Sequence, residues 1–240
     1  MRLDNYLVEN KIFDSRTKAK QAIERGEVQI DGLVATKPSL NLSSGDHDVK
    51  IISEKSFVSL GGYKLDKALT DFQLDVKNLI ALDVGASTGG FTDCLLQRGA
   101  KKVYAVDLND DLLHPKLKQN ENVVSIIKNA RNLTPNDFNE KIDILVADLS
   151  FISATLVLQT FADILDFGKK VILLIKPQFE TGERKKFKNG IIRDQKIRDN
   201  ACEKVISFAN SIGLIFEKIT TAPIVEQKNL EYLVLLTKSK

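Results

Sequence analysis

Two hydrophobic periods divide the chain. Near its start, Leu3, Tyr6 and Leu7, and then Ala19, Ala22 and Ile23, recur at helical spacing and predict two amphipathic helices. Asp14 or Ser15 stands where the second helix needs a cap, and Gly26 stands where it should end. "VQIDGLVAT" reads as a hairpin turning at Asp31-Gly32, and "HDVKII" as another short strand. Beyond residue 60, "LIALDV", "KVYAVDL", "NVVSII", "DILVADL" and "KVILLIK" predict buried strands. Helical segments near 89–98, 111–118, 153–164 and 195–211 lie between or after them, and "LIFEKITTA" and "EYLVLLT" predict two late strands. Apolar strands alternating with helices predict an α/β fold, a mostly parallel sheet covered on both faces. Such sheets bind ligands beyond the carboxyl ends of their strands, so the residues there carry the functional question.

Several of those ends are polar. "ALDVGASTGGFTD" (81–93) is a strand, a turn with Gly85, Gly89 and Gly90, and a helix start, whose free N–H groups suit an anion. It is not the dinucleotide pattern GxGxxG. Asp107 closes the next strand about 20 residues on, where an acid can accept both hydroxyls of a ribose or simply cap a turn. Asp148 and Lys176 end two further strands, Glu231 opens a late one, and Lys64 precedes the first. Singly, these read as a cap, a snorkelling lysine, an edge acid and a surface lysine. Together, beside a glycine loop, they read as a reacting constellation. A buried ammonium such as that of Lys176 is costly unless something pairs with it or uses it.

Composition narrows the partners only slightly. The 240 residues are 28% charged and 43% hydrophobic with a formal charge of +3, those of an ordinary globular protein. No apolar run approaches the roughly 20 residues of a membrane span, and the N-terminus has no apolar signal core, so a cytoplasmic protein is expected. Cys94 and Cys202 form no CxxC, and His47 and His114 are isolated, so no metal is expected. Charge is instead local. Arg16 and Lys20 share a helix face at i, i+4, which is either a solvated face or a phosphate-binding one. "TGERKKFKNGIIRDQKIR" (181–198) holds seven basic residues against two acids, a charged loop or an RNA-backbone clamp.

The N-terminal motifs settle that choice by resemblance. Arg2-Leu3-Asp4, Ser15-Arg16, Ala19, Ile23, Gly26-x-Val28, Asp31-Gly32 and Lys37-Pro38-Ser39 closely resemble an S4 RNA-binding domain. The glycine loop, Asp107 and the late strand pair resemble the S-adenosylmethionine-dependent methyltransferase fold. "SLGGYKL", "VADLSFIS", "LIKPQFE" and "NLEYL" give the K–D–K–E order of FtsJ-like ribose 2′-O-methyltransferases. The whole chain resembles the TlyA family of ribosomal RNA 2′-O-methyltransferases, some of whose members carry the older label hemolysin. Tyr63 departs from the family segment, as do the missing glycines in "APIVEQKNLEYL" and the missing acid upstream of Asn129.

The resemblance implies a Rossmann-like, seven-stranded class I methyltransferase domain over 64–240, a linker over 56–63 and a small α+β S4 domain over 1–55. It implies S-adenosylmethionine against Asp83, Gly85, Ser87, Thr88, Gly89, Gly90, Phe91, Asp107, Asn129 and Asp148, and ribosomal RNA or a ribosomal subunit as partner. It implies Lys176 as general base, Lys64 as its electrostatic partner, Asp148 as orienter and Glu231 as lysine anchor. RNA contacts would come from Arg2, Arg16, Lys18 and Lys20, and from Arg184, Lys185, Lys186 and Arg193. Two other readings remain: a membrane-active hemolysin, and an RNA-binding assembly factor without activity.

Overall fold

A computed structural model of the chain describes residues 1–24, 26–43, 45–51, 57–182, 187, 190–223 and 228–239. In the N-terminal module, α1 (Leu3–Glu9) and α2 (Arg16–Glu24) meet through Leu3, Leu7, Ala19, Ala22 and Ile23, all fully buried. Ser15 Oγ accepts the Lys18 N–H at the start of α2, which fixes Ser15 as the cap. β1 (Val28–Ile30) pairs antiparallel with β2 (Leu33–Val34) across the expected turn and with β3 (Val49–Ile51) on its other side. Asp31 and Gly32 both have positive φ, 51° and 81°, the geometry a two-residue Asp-Gly hairpin requires.

The larger module is built on seven strands: β4 (Ile80–Val84), β5 (Lys102–Asp107), β6 (Val123–Ile127), β7 (Ile144–Ala147), β8 (Lys170–Ile175), β9 (Leu214–Thr221) and β10 (Tyr232–Lys238). Their order is β6-β5-β4-β7-β8-β10-β9. The first five are parallel, and β10 inserts antiparallel between β8 and β9. Alternate residues feed two cores. Leu82, Tyr104, Leu145 and Leu173 face one side, packed with Phe161 and Val205 from α6 (Leu158–Ile164) and α8 (Gln195–Ser211). Ala81, Val103, Val146 and Ile172 face the other, packed with Leu65, Leu69 and Leu95 from α3 (Leu60–Phe72) and α4 (Gly90–Gln97).

The expected strands all form, but three helices differ: the segment expected at 153–164 is a 3-10 turn (Ala154–Leu156) followed by α6. α5 is only Pro115–Lys118, starting four residues later than the periodicity suggests. Proline takes its first position, where a missing N–H costs nothing, and His114 Nδ1 accepts the Lys116 N–H as its cap. α3 is a helix where the sequence offers two consecutive glycines and no helix is expected. Its first turn takes in residues 60–63 of the expected linker, with Gly62 and Tyr63 buried. The glycines there serve close packing: a Cβ on Gly62 would lie 2.4 Å from the Phe57 side chain, and one on Gly90 would lie 2.9 Å from Gly62 N.

The two modules touch along α3. A Cβ on Gly26 would lie 2.7 Å from Leu60 Cγ, so the turn after α2 rests directly on that side chain. Tyr63 donates its hydroxyl to Glu27 Oε1 (3.0 Å), both residues buried, while its ring meets Phe57 edge-on at 4.9 Å. The departure at Tyr63 thus has a partner in the other module. Tyr63→Phe keeps the ring and removes the donor; it should cost about 1–3 kcal/mol of stability, read as a lower urea midpoint at unchanged slope. An unchanged midpoint would mean the hydroxyl contributes nothing.

Candidate active site

The sheet topology gathers four charged side chains. Because β10 is antiparallel, its amino end lies beside the carboxyl end of β8, with Tyr232 paired to Ile175. Glu231, just before β10, therefore shares one sheet edge with Lys176, just after β8, and Asp148, just after β7. Lys64 reaches the same edge from α3. The four form a row of alternating charge. Lys176 Nζ is 2.5 Å from Asp148 Oδ1, Asp148 Oδ2 is 3.9 Å from Lys64 Nζ, and Lys64 Nζ is 2.6 Å from Glu231 Oε2. Each cation is flanked by an anion, which offsets the desolvation that partial burial imposes.

The two lysines differ. Burial alone would lower the Lys64 pKa, but the Asp148 and Glu231 carboxylates outweigh it, and Lys64 is held above the ordinary lysine value. Lys64 is therefore held as a cation, with Glu231 its nearest ion-pair partner. Lys176 is buried at the head of α7 (Pro177–Glu180), where Pro177 takes the first helical position. It donates to Ser150 Oγ (2.8 Å) and stands 6.0 Å from the Phe179 ring centre. Asp148 Oδ1 approaches it as an ion pair, off the direction of a hydrogen bond.

Beside this row a cavity of about 500 Å³ runs from the glycine loop to the end of β6. Val84, Val106, Leu108, Leu149 and Phe151 wall it, with Asp107, Asn129 and Asp148 among its polar lining. A smaller space of about 150 Å³ continues to Ser87, Thr88, Gly90, Phe91 and Lys176. Asp107 accepts the Ser87 N–H (2.7 Å) and the Leu108 N–H (2.6 Å), so it also holds the loop in shape. Asn129 Oδ1 accepts the Arg131 N–H (3.0 Å). Asp83 is fully buried. Its Oδ2 accepts the Thr92 hydroxyl at 2.6 Å, and its Oδ1 has no hydrogen-bond partner. Burial, opposed by Thr92 and reinforced by Asp148 and Asp107, pushes its pKa up to about 7.

Gly89 and Gly90 also answer to packing inside the protein. A Cβ on Gly89 would meet Leu117 Cδ1 at 2.2 Å, and one on Gly90 would meet Ser59 Oγ at 2.3 Å. Both are required by the protein's own packing, against α5 and the start of α3, although Gly90 also lines the smaller space.

The expected RNA contacts are engaged within the protein. Arg2 and Arg16 both hold buried Asp4, Arg2 through two hydrogen bonds (3.0 and 2.9 Å) and Arg16 through one (2.9 Å). The hydrogen bond from Arg2, opposed by burial and aided by Arg16, holds the Asp4 carboxyl down to about 2. Lys18 pairs with Asp14 (2.9 Å) and Lys20 with Glu24 (3.7 Å), both exposed pairs that water and phosphate can replace. Arg193 is exposed before α8. Arg184, Lys185 and Lys186 lie outside the described residues.

Two neighbours of the row were missed. Ser150 sits two residues beyond Asp148 at the same strand end. Lys228 lies exposed three residues before Glu231; desolvation by its surroundings and the charges of Lys64, Lys37 and Lys176, against Glu231, hold its ammonium below the ordinary value. Its basic character so near "NLEYL" was the available signal. Both thiols are buried, and burial pushes Cys202 up to about 12, which removes it as a nucleophile. His47 pairs with Asp31 at 2.7 Å. Among the described residues no helix is long and apolar enough to cross a membrane, and no His, Cys, Asp and Glu cluster could hold a metal.

Residues 57–238 match the FtsJ-like methyltransferase family and residues 1–48 match the S4 domain. The 16S/23S rRNA (cytidine-2′-O)-methyltransferase TlyA of Mycobacterium tuberculosis is 37% identical over 238 residues, covering 98% of this chain and 89% of that protein. Hemolysin A of Brachyspira hyodysenteriae is 39% identical over 236 residues, covering 97% and 98%. A Streptococcus thermophilus protein solved under a provisional hemolysin name superposes with a TM-score of 0.75 at 39% identity, covering 100% of this chain and 89% of that one. An S4 module docked on the helix that carries Lys64, and a charge row beside a seven-stranded sheet's glycine loop, accord with these matches: the chain belongs to the TlyA family of FtsJ-like methyltransferases.

Proposed function

We propose that this protein methylates ribose 2′-hydroxyls of ribosomal RNA in the cytoplasm, at cytidine, using S-adenosylmethionine. The reading is carried by the charge row Lys176–Asp148–Lys64–Glu231, whose Asp148 lines the larger cavity. The cavity suits the cofactor. Its apolar walls fit an adenine and Asp107 fits a ribose; Asp83, fully buried behind the loop with its Oδ1 unpartnered, would act on the ammonium of the methionine end through water or backbone. Gly85, Ser87, Thr88, Phe91 and Asn129 would line the rest. Bound there, S-adenosylmethionine supplies an electrophilic methyl group on a positive sulfur.

The protein's own residues do the remainder. A ribose hydroxyl is a poor nucleophile until its proton leaves, and Lys176 Nζ takes that proton. Lys64 stays charged and draws the ribose oxygen into place. Asp148 lies between the two lysines and pairs with the charge of both, and Glu231 fixes Lys64. The S4 module, proposed as residues 1–55, docks structured RNA through Arg2, Arg16, Lys18 and Lys20; Arg193 holds backbone near the site. Incubation with labelled S-adenosylmethionine and each ribosomal subunit, followed by mapping, tests the reading. Label on a cytidine 2′-oxygen is expected; no label on either subunit would sink it.

Asp83 makes the cofactor pH-sensitive. Its pKa rises on folding from the ordinary 3.8 to about 7. Its contribution to apo stability is fully present below about pH 4 and is lost as pH rises through 7, a swing of about 4 kcal/mol. Cofactor affinity should run the other way, because an ammonium prefers the ionised carboxyl. Below pH 7 affinity should fall by up to about tenfold per pH unit, and Asp83→Asn should flatten the dependence. Calorimetry from pH 6 to 8 checks this; equal slopes in both proteins would detach Asp83 from the cofactor.

A further inference from the structure

We propose that Ser150 is a positioning residue that sets the direction of the Lys176 lone pair. This rests on the reading of Lys176 as base. A protonated amine becomes a base only by vacating one N–H direction, and the lone pair then occupies it. Rotation about Cε–Nζ is nearly free unless an acceptor holds one of the other N–H groups. Among the described residues, Ser150 Oγ is the one aligned hydrogen-bond acceptor of Lys176, at 2.8 Å. Asp148 Oδ1 is nearer, at 2.5 Å, but lies off the hydrogen-bond direction, so it supplies charge more than orientation. The Phe179 ring stands beside the ammonium, 6.0 Å to its centre. Ser150 and Lys176 both line the smaller space beside the glycine loop, and Ser150 also lines the larger cavity. The hydroxyl therefore stands where the cofactor and reacting spaces meet, and its grip on one N–H turns the remaining direction toward the cleft.

The test is single-turnover methyl transfer on the ribosomal subunit at saturating S-adenosylmethionine. Ser150→Ala should lower the rate by about 10- to 100-fold, the scale of a misoriented catalytic group. Ser150→Thr keeps the acceptor, and because Ser150 is exposed its methyl has room; it should recover to within about threefold of wild type. A merely structural serine would lower the rate whether or not Lys176 is present. In a Lys176→Ala background, Ser150→Ala should have no further effect. Wild-type rate in Ser150→Ala, a further loss in the Lys176→Ala background, or failure of Ser150→Thr to recover would overturn the positioning role. If Lys176→Ala itself keeps wild-type rate, the base reading fails instead.

Discussion

Lys176→Ala and Lys176→Arg should both lose about 10²–10⁴ in single-turnover rate while binding cofactor nearly as wild type does. The arginine variant carries the argument. It keeps a cation against Asp148, so the ion pair at the end of β8 survives in charge. A guanidinium holds its proton at any working pH and cannot serve as base. Loss of rate in both variants isolates proton transfer from charge. Lys64→Arg is the contrast. Lys64 is held above the ordinary lysine value by Asp148 and Glu231, so its work is that of a permanent cation. Arginine there should cost about tenfold or less, the price of imperfect geometry. Near-wild-type rate in Lys176→Arg would remove Lys176 as base; inactivity in Lys64→Arg with activity in Lys176→Arg would exchange the two roles.

What the sequence revealed and hid follows a physical division. The strands were legible because a buried parallel strand is an unbroken apolar run, and Asp148 and Lys176 were legible because a charge interrupting such a run is costly. The meeting of Glu231 with the lysines depended on β10 being antiparallel, which no local pattern records. α3 was hidden by Gly61 and Gly62, which weaken a helix by propensity. Here they let it pack against Gly90 and Phe57. Gly89 and Gly90 likewise answer to packing that no local pattern records, against Leu117 and Ser59. Tyr63 could be marked as a departure but not explained, since its partner Glu27 is 36 residues away in the other module. Ser150 escaped notice because a serine after a strand is an ordinary turn residue until a lysine is seen to donate to it.

Gly85→Ala should disable both the cofactor loop and the reacting row. Gly85 leaves β4 with φ +84°, a conformation that costs an L side chain roughly 1 kcal/mol or more. Space is the larger constraint. Its N–H donates to Val106 O on β5 (2.8 Å), and an added Cβ would lie 2.6 Å from the Asp148 carbonyl oxygen beyond β7. That obstacle is backbone, with the Asp148 carbonyl carbon next at 3.2 Å, so it cannot rotate aside as a side chain would. Relief requires β4 and β7 to part at their carboxyl ends, which moves the loop that Asp107 holds and displaces Asp148 from Lys176. Stability should fall by about 2–4 kcal/mol, and cofactor affinity by about 10²-fold or more. Gly168→Ala separates the two causes. Gly168 has a similar φ of +78°, but nothing lies within 4 Å of its added Cβ. It should show the conformational cost alone, about 1 kcal/mol, with cofactor binding intact. Calorimetry and urea unfolding on both variants decide the matter: equal losses in stability and unchanged cofactor affinity in Gly85→Ala would refute the close approach as the reason for glycine at this turn.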